Sequence, residues 1–128
     1  MISDRSAHAG WAGAIVVDAG DAFSALAAMP SERREGTEAT ADFLVEQYNA
    51  SGVAAMAMGD RDLVLGRDAL VRLAARARFP FLAANLRDLA SGQPVFAEHA
   101  IVERAGLRVG LLGLLSPSGA AASRRPRQ

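Results

Sequence analysis

Apolar and polar positions along the chain fall into blocks that predict strands and helices in turn. Residues 15–17, Ile-Val-Val, form a β-branched run that ends in Asp18-Ala19-Gly20-Asp21, the pattern of a buried strand stopping at a surface loop. Residues 22–29 are small and apolar and predict a short helix, while 30–36, Pro-Ser-Glu-Arg-Arg-Glu-Gly, predict a solvated connector. Beyond them Phe43, Leu44, Gln47 and Tyr48 share one face at helical spacing, with Thr37 as N-cap and residues 49–52 as a stop, so the second helix is predicted over 38–50. Residues 53–58 are continuously apolar and predict a second strand, closed by Gly59-Asp60-Arg61-Asp62. After a turn at 63–66, Ala69, Leu70, Leu73, Ala74 and Ala77 mark an amphipathic helix stopped by Pro80, with Asp68 spaced to pair with Arg72. Residues 81–84 predict a third strand. The segments 95–103 and 107–115 predict two more, joined by a hairpin turn at Arg104-Ala105-Gly106.

That order argues for an α/β fold, a mostly parallel sheet covered by helices with an antiparallel hairpin near the C-terminus. With 128 residues the chain suffices for one modest core. Residues 1–117 are therefore read as a single domain. Residues 118–128 lack core periodicity and are expected to form an unstructured tail, starting where a central strand should lead onward into more fold; an open reading frame incomplete at this end is the expectation.

Composition narrows the partners rather than naming one. Half the residues are apolar and the 14 basic residues balance 14 acidic ones, so nothing favours nucleic acid or an anionic membrane. Cysteine is absent, which excludes thiolate chemistry and Cys-based zinc sites. All basic residues are Arg and Ala is abundant, a genome signature rather than a phosphate-binding device. The first residues carry no signal-peptide pattern and no apolar run reaches membrane length; at face value the chain stays in the cytoplasm. Candidate chemistry lies in the two acidic strand ends, because open α/β sheets build ligand and metal sites beyond the carboxyl ends of their strands.

Four motifs in register carry a resemblance. They are Val17-Asp18-Ala19-Gly20-Asp21-Ala22-Phe23; the turn Gly59-Asp60-Arg61-Asp62-Leu63 followed by Gly66; Phe79-Pro80-Phe81-Leu82-Ala83-Ala84-Asn85-Leu86; and residues 106–117, from Gly106-Leu107-Arg108-Val109-Gly110 to Ser116-Pro117. Across about residues 14–117 the sequence resembles the 5′-nucleotidase and 2′,3′-cyclic phosphodiesterase branch of the calcineurin-like metallophosphoesterases. The resemblance implies a partial metallophosphoesterase-like α/β sandwich, two divalent metal ions such as Mn or Zn, and hydrolysis of nucleotide phosphate esters. It implies that Asp21 matches the aspartate that bridges both ions. It places Asp60 on a metal-ligating asparagine and Arg61 on a histidine that helps stabilise the phosphate or leaving group.

Asp for Asn keeps an oxygen ligand. Arg for His keeps a cation that can hold a phosphate oxygen but gives up proton donation near neutral pH. The family's opening Asp-x-His turn has no counterpart at Asp4 to His8, and its later histidines are expected beyond Gln128, so the chain alone is expected to be inactive. Two readings therefore stand: a fragment or degenerate member of a phosphoesterase family whose members are often exported, or a non-catalytic α/β module that kept the scaffold. Asp18 is expected to anchor its loop, Asp62 to act structurally or behind the ligands, and Asn85 to fix a loop through backbone hydrogen bonds. Gly110 and Gly113 are expected to permit close packing or a bend, and His99 is assigned no role.

Overall fold

The computed structural model describes residues 13–116; the tail expected at 118–128 and His8 lie outside them. Three short parallel strands form the central sheet in the order β1 (Val17–Asp18), β2 (Ala55–Ala57), β3 (Phe81–Leu82). Helix α1 (Ser31–Ser51) connects β1 to β2, and a 3₁₀ turn (Asp62–Leu65) followed by α2 (Arg67–Arg76) connects β2 to β3. Val17 pairs with Ala55 and Met56 with Phe81, so the three carboxyl ends lie on one edge. Strands β4 (His99–Arg104) and β5 (Leu107–Leu112) make a separate antiparallel hairpin, turning through Ala105 and Gly106 at positive φ. The mixed α/β class, with a parallel sheet followed by a hairpin, is the one the sequence predicts.

Two expectations fail around the first crossover. Residues 22–29 form no helix, because their backbone groups are engaged elsewhere: Phe23 N–H donates to Asp62 Oδ1 at 2.9 Å, and Leu26 N–H donates to Ser24 Oγ at 2.9 Å. Local hydroxyl bonds of this kind compete with helix formation. The expected connector at 30–36 is instead the start of α1. Pro30 stands at the N-cap with extended backbone and its carbonyl accepts from Arg33 N–H at 3.0 Å, Glu32 lies in the first turn, and Arg34 pairs with Glu38 at 3.5 Å. Thr37 is accordingly an interior residue, donating to the Arg33 carbonyl at 2.8 Å rather than capping.

The buried stripe of α1 is also shifted from the expected one. Ala41 and Val45 are its buried residues and Leu44 and Tyr48 pack beside them, whereas Phe43 is 61% exposed. Nor does Arg72 pair with Asp68. It reaches across to α1, donating to Asp42 at 2.9 Å, and Arg76 joins Asp42 and Glu46, both at 2.7 Å. These pairs are half exposed and contribute little individually, but they set α2 against α1.

Met56, Met58, Val45, Leu65, Leu70 and Leu73 fill the space between helices and sheet, each almost completely buried. A line of rings extends this core: Tyr48 on Phe79, Phe79 on Phe81, and Phe81 on both Phe23 and Phe96, with centroids 5.7 to 5.9 Å apart. Asn85 fixes the segment beyond β5 as expected, donating to the Leu115 carbonyl at 2.8 Å and accepting its N–H at 2.9 Å.

Of the two glycines singled out, only Gly113 is required by packing. A Cβ there would lie 2.5 Å from the Leu82 carbonyl oxygen, whereas one at Gly110 would meet nothing within 4 Å. Gly113→Ala is therefore expected to destabilise the fold by about 1–3 kcal/mol, and Gly110→Ala to leave it nearly unchanged, as measured by urea denaturation. Equal effects of the two would contradict the packing assignment.

Candidate functional site

The carboxyl ends of β1 and β2 are adjacent because the strands are parallel neighbours, and the loops leaving them touch. A Cβ at Gly20 would lie 2.6 Å from Gly59 N, and one at Gly59 would lie 2.1 Å from Asp21 Oδ1. Only glycine at both positions lets the two turns approach this closely.

Asp62 holds them together. Its side chain is completely buried and accepts three backbone N–H bonds: from Gly59 at 2.9 Å, from Asp21 at 2.8 Å and from Phe23 at 2.9 Å. One carboxylate thus ties the turn after β2 to the loop after β1, and through Phe23 to the aromatic core. Burial raises its carboxyl pKa above the ordinary value, against the pull of those three bonds. The structural role expected for Asp62 is the one it has.

Asp21 sits on this clamp in the left-handed region, φ 57°, and its Oδ1 accepts the Arg61 N–H at 2.9 Å. Aspartate tolerates that conformation better than most residues. Asp60 lies in the facing turn. Among the described residues, neither Asp21 nor Asp60 has an ion-pair partner. The Arg61 guanidinium donates to the Ala25 carbonyl. Asp21, Asp60 and Arg61, the three candidates from the sequence, are therefore brought to one sheet edge.

Asp18 anchors its own loop as expected, accepting the Gly20 N–H at 2.8 Å. Its second oxygen accepts from the Tyr48 hydroxyl, a link from α1 to the strand end that the sequence reading missed. The available signal was Tyr48 itself: a phenol on the half-buried face of a helix needs a polar partner. Desolvation, followed by the bond to Asp18, pushes the Tyr48 hydroxyl up to about 12.

Two carboxylates are few for a divalent-ion centre. Among the described residues no group of three or more Asp, Glu, His or Cys is placed to hold an ion, and Asp21 already spends one oxygen on Arg61 N–H. A dinuclear centre needs more oxygen and nitrogen donors than these. The described donors do not by themselves fit one.

Comparison with solved structures identifies the fold. The fold is similar to a 5′-nucleotidase precursor from Thermus thermophilus, with 30% identity, TM-score 0.66, and coverage of 91% of this chain and 22% of that one. It is similar to the sulfate thiohydrolase SoxB of the same organism, with 25% identity, TM-score 0.67 and coverage of 91% and 20%. The NAD nucleotidase NadN of Haemophilus influenzae shares the fold at 21% identity and TM-score 0.56, over 80% of this chain and 19% of that one. No protein-family model matches the sequence, and no curated protein matches it significantly. All three are calcineurin-like metallophosphoesterases, and the fold of this chain is that of part of one. It spans about a fifth of the length of these relatives. Among the described residues, no helix is long and apolar enough to cross a membrane.

Tyr48 is the one tyrosine of the chain, so its ionisation is directly readable. Its folded value near 12 lies above the ordinary 10. The stability linked to it is present in full below pH 10 and is lost as pH rises through 12. Ultraviolet titration is expected to give a midpoint about two units above that of the unfolded chain, and Asp18→Asn to lower it. An unshifted midpoint would contradict the Tyr48–Asp18 bond.

Proposed function

We propose that this chain supplies one corner of a metal-dependent phosphoester hydrolase site, with Asp21 and Asp60 as its two contributed donors. The contact of the two turns that carry these residues, tied by the Asp62 clamp, supports this reading, as does the resemblance to the family. The substrate class would be a nucleotide or another phosphate ester, in keeping with a role in nucleotide breakdown, and the metal would polarise the ester and activate a water. Arg61, at the family's histidine position, would provide a permanent cation for a phosphate oxygen but no transferable proton.

Because two donors cannot complete the centre, the chain by itself is inactive in this reading. The alternative, a non-catalytic module that kept the scaffold, is favoured by the tethering of the Arg61 guanidinium to the Ala25 carbonyl rather than to either carboxylate.

Calorimetry and phosphatase assays separate these readings. With Mn²⁺ the purified chain is expected to bind no tighter than about millimolar, as two carboxylates without further ligands would, with no turnover of p-nitrophenyl phosphate. Asp21→Asn is expected to weaken that binding further, by about tenfold for the loss of one charged ligand. Tight binding of two ions with turnover would overturn the incomplete-site reading. Binding insensitive to Asp21→Asn would favour the non-catalytic module.

A further inference from the structure

The hairpin β4–β5 stands apart from the core. No residue in either strand is buried, and Ile101, Leu107 and Leu112 are 54%, 68% and 64% exposed. Among the described residues β4 pairs with β5 alone, leaving the other edge of β4 without a ladder partner. A two-stranded hairpin is marginally stable unsupported. No Pro interrupts residues 98–112, so nothing in the backbone chemistry bars a further strand from the edge.

The order of charges along this edge selects its occupant. Residues 98–104 read Glu-His-Ala-Ile-Val-Glu-Arg, and the segment is charge-complementary to its own reverse about Ile101. Two copies laid antiparallel about that residue set Glu98 against Arg104, His99 against Glu103 and Ala100 against Val102, with Ile101 facing Ile101. Each opposed pair shares parity, so both members stand on the same face of the joined sheet. The pairing repeats twice by symmetry and opposes no like charges. His99 and Glu103 are exposed; the cross-strand neighbour of His99 within the hairpin is the apolar Leu112, and Glu103 meets Arg108 through Oε1 at 3.7 Å, which leaves Oε2 for a second cation. Glu98 is bonded to Arg87 through Oε1 at 2.9 Å, which leaves Oε2 for a second cation. The formal net charge of the chain is zero, so no long-range repulsion separates copies.

We propose that β4 is a self-association edge, through which two copies of this chain join their hairpins into one four-stranded antiparallel sheet. The contact is isologous and closes as a dimer.

Sedimentation velocity on the full chain, from about 1 to 100 μM, a range set to bracket affinities typical of modest interfaces, tests the proposal. A reversible dimer is expected. His99→Arg, which places a permanent cation against Glu103 of the second copy, is expected to tighten it about fivefold, and His99→Glu to weaken it about fivefold. His99 has no charged cross-strand neighbour of its own to disturb, so opposite responses to opposite charges are specific to the intermolecular pair. A monomer throughout the range would overturn the proposal. So would a dimer that both variants weaken alike, or that neither changes.

Discussion

A single buried carboxylate governs the sheet edge. Asp62 accepts backbone N–H groups from Gly59 in its own turn and from Asp21 and Phe23 in the other loop, which lie 41 and 39 residues away along the chain. Any one of those donors left unpaired in this environment would cost about 1–3 kcal/mol. The clamp also fixes Asp21 at positive φ and brings Gly59 so near that a Cβ on it would collide with the Asp21 carboxylate. The turns that carry Asp21 and Asp60 lie together because Asp62 bonds to both of their backbones.

The core supports this edge from behind. Phe23, held by Asp62 through its N–H, packs its ring on Phe81 of β3, which in turn touches Phe79 and Phe96. Tyr48 continues the line from Phe79 and delivers its hydroxyl to Asp18 at the end of β1. Packing and polar satisfaction thus converge: the rings that stabilise the sheet also position the loops, and buried polar groups fully paired in this way specify one arrangement.

The strands and their parallel arrangement are legible because apolar runs bounded by Gly and Asp are strong local signals, and the structural roles of Asn85, Asp18 and Asp62 follow from the same turn chemistry. Residues 22–36 defeat a local reading for a tertiary reason. The small apolar stretch resembles a helix until Asp62, 39 residues away from Phe23, takes one of its N–H groups. Likewise Ser-Glu-Arg-Arg-Glu-Gly looks like a loop until Pro30 and the Arg34 bond to the Leu65 carbonyl make it a first turn. Phe43 fits the helical period but stands on the exposed face. At the site, motif alone finds Asp21, Asp60 and Arg61, whereas the direction of the Arg61 side chain depends on a carbonyl, Ala25, that carries no sequence signal.

The loops that leave β1 and β2 are tightly constrained at this sheet edge. Whether the Asp62 carboxylate is the source of that constraint is tested most directly by amide hydrogen exchange in the wild type and Asp62→Ala, which removes both acceptor oxygens. The Asp21, Phe23 and Gly59 amides are expected to lose protection together, each by about tenfold or more for the bond removed, while Met56 and Met58, bonded to Pro80 and Leu82, keep theirs. Unchanged exchange at those three amides, or loss spread evenly over the sheet, would contradict the account.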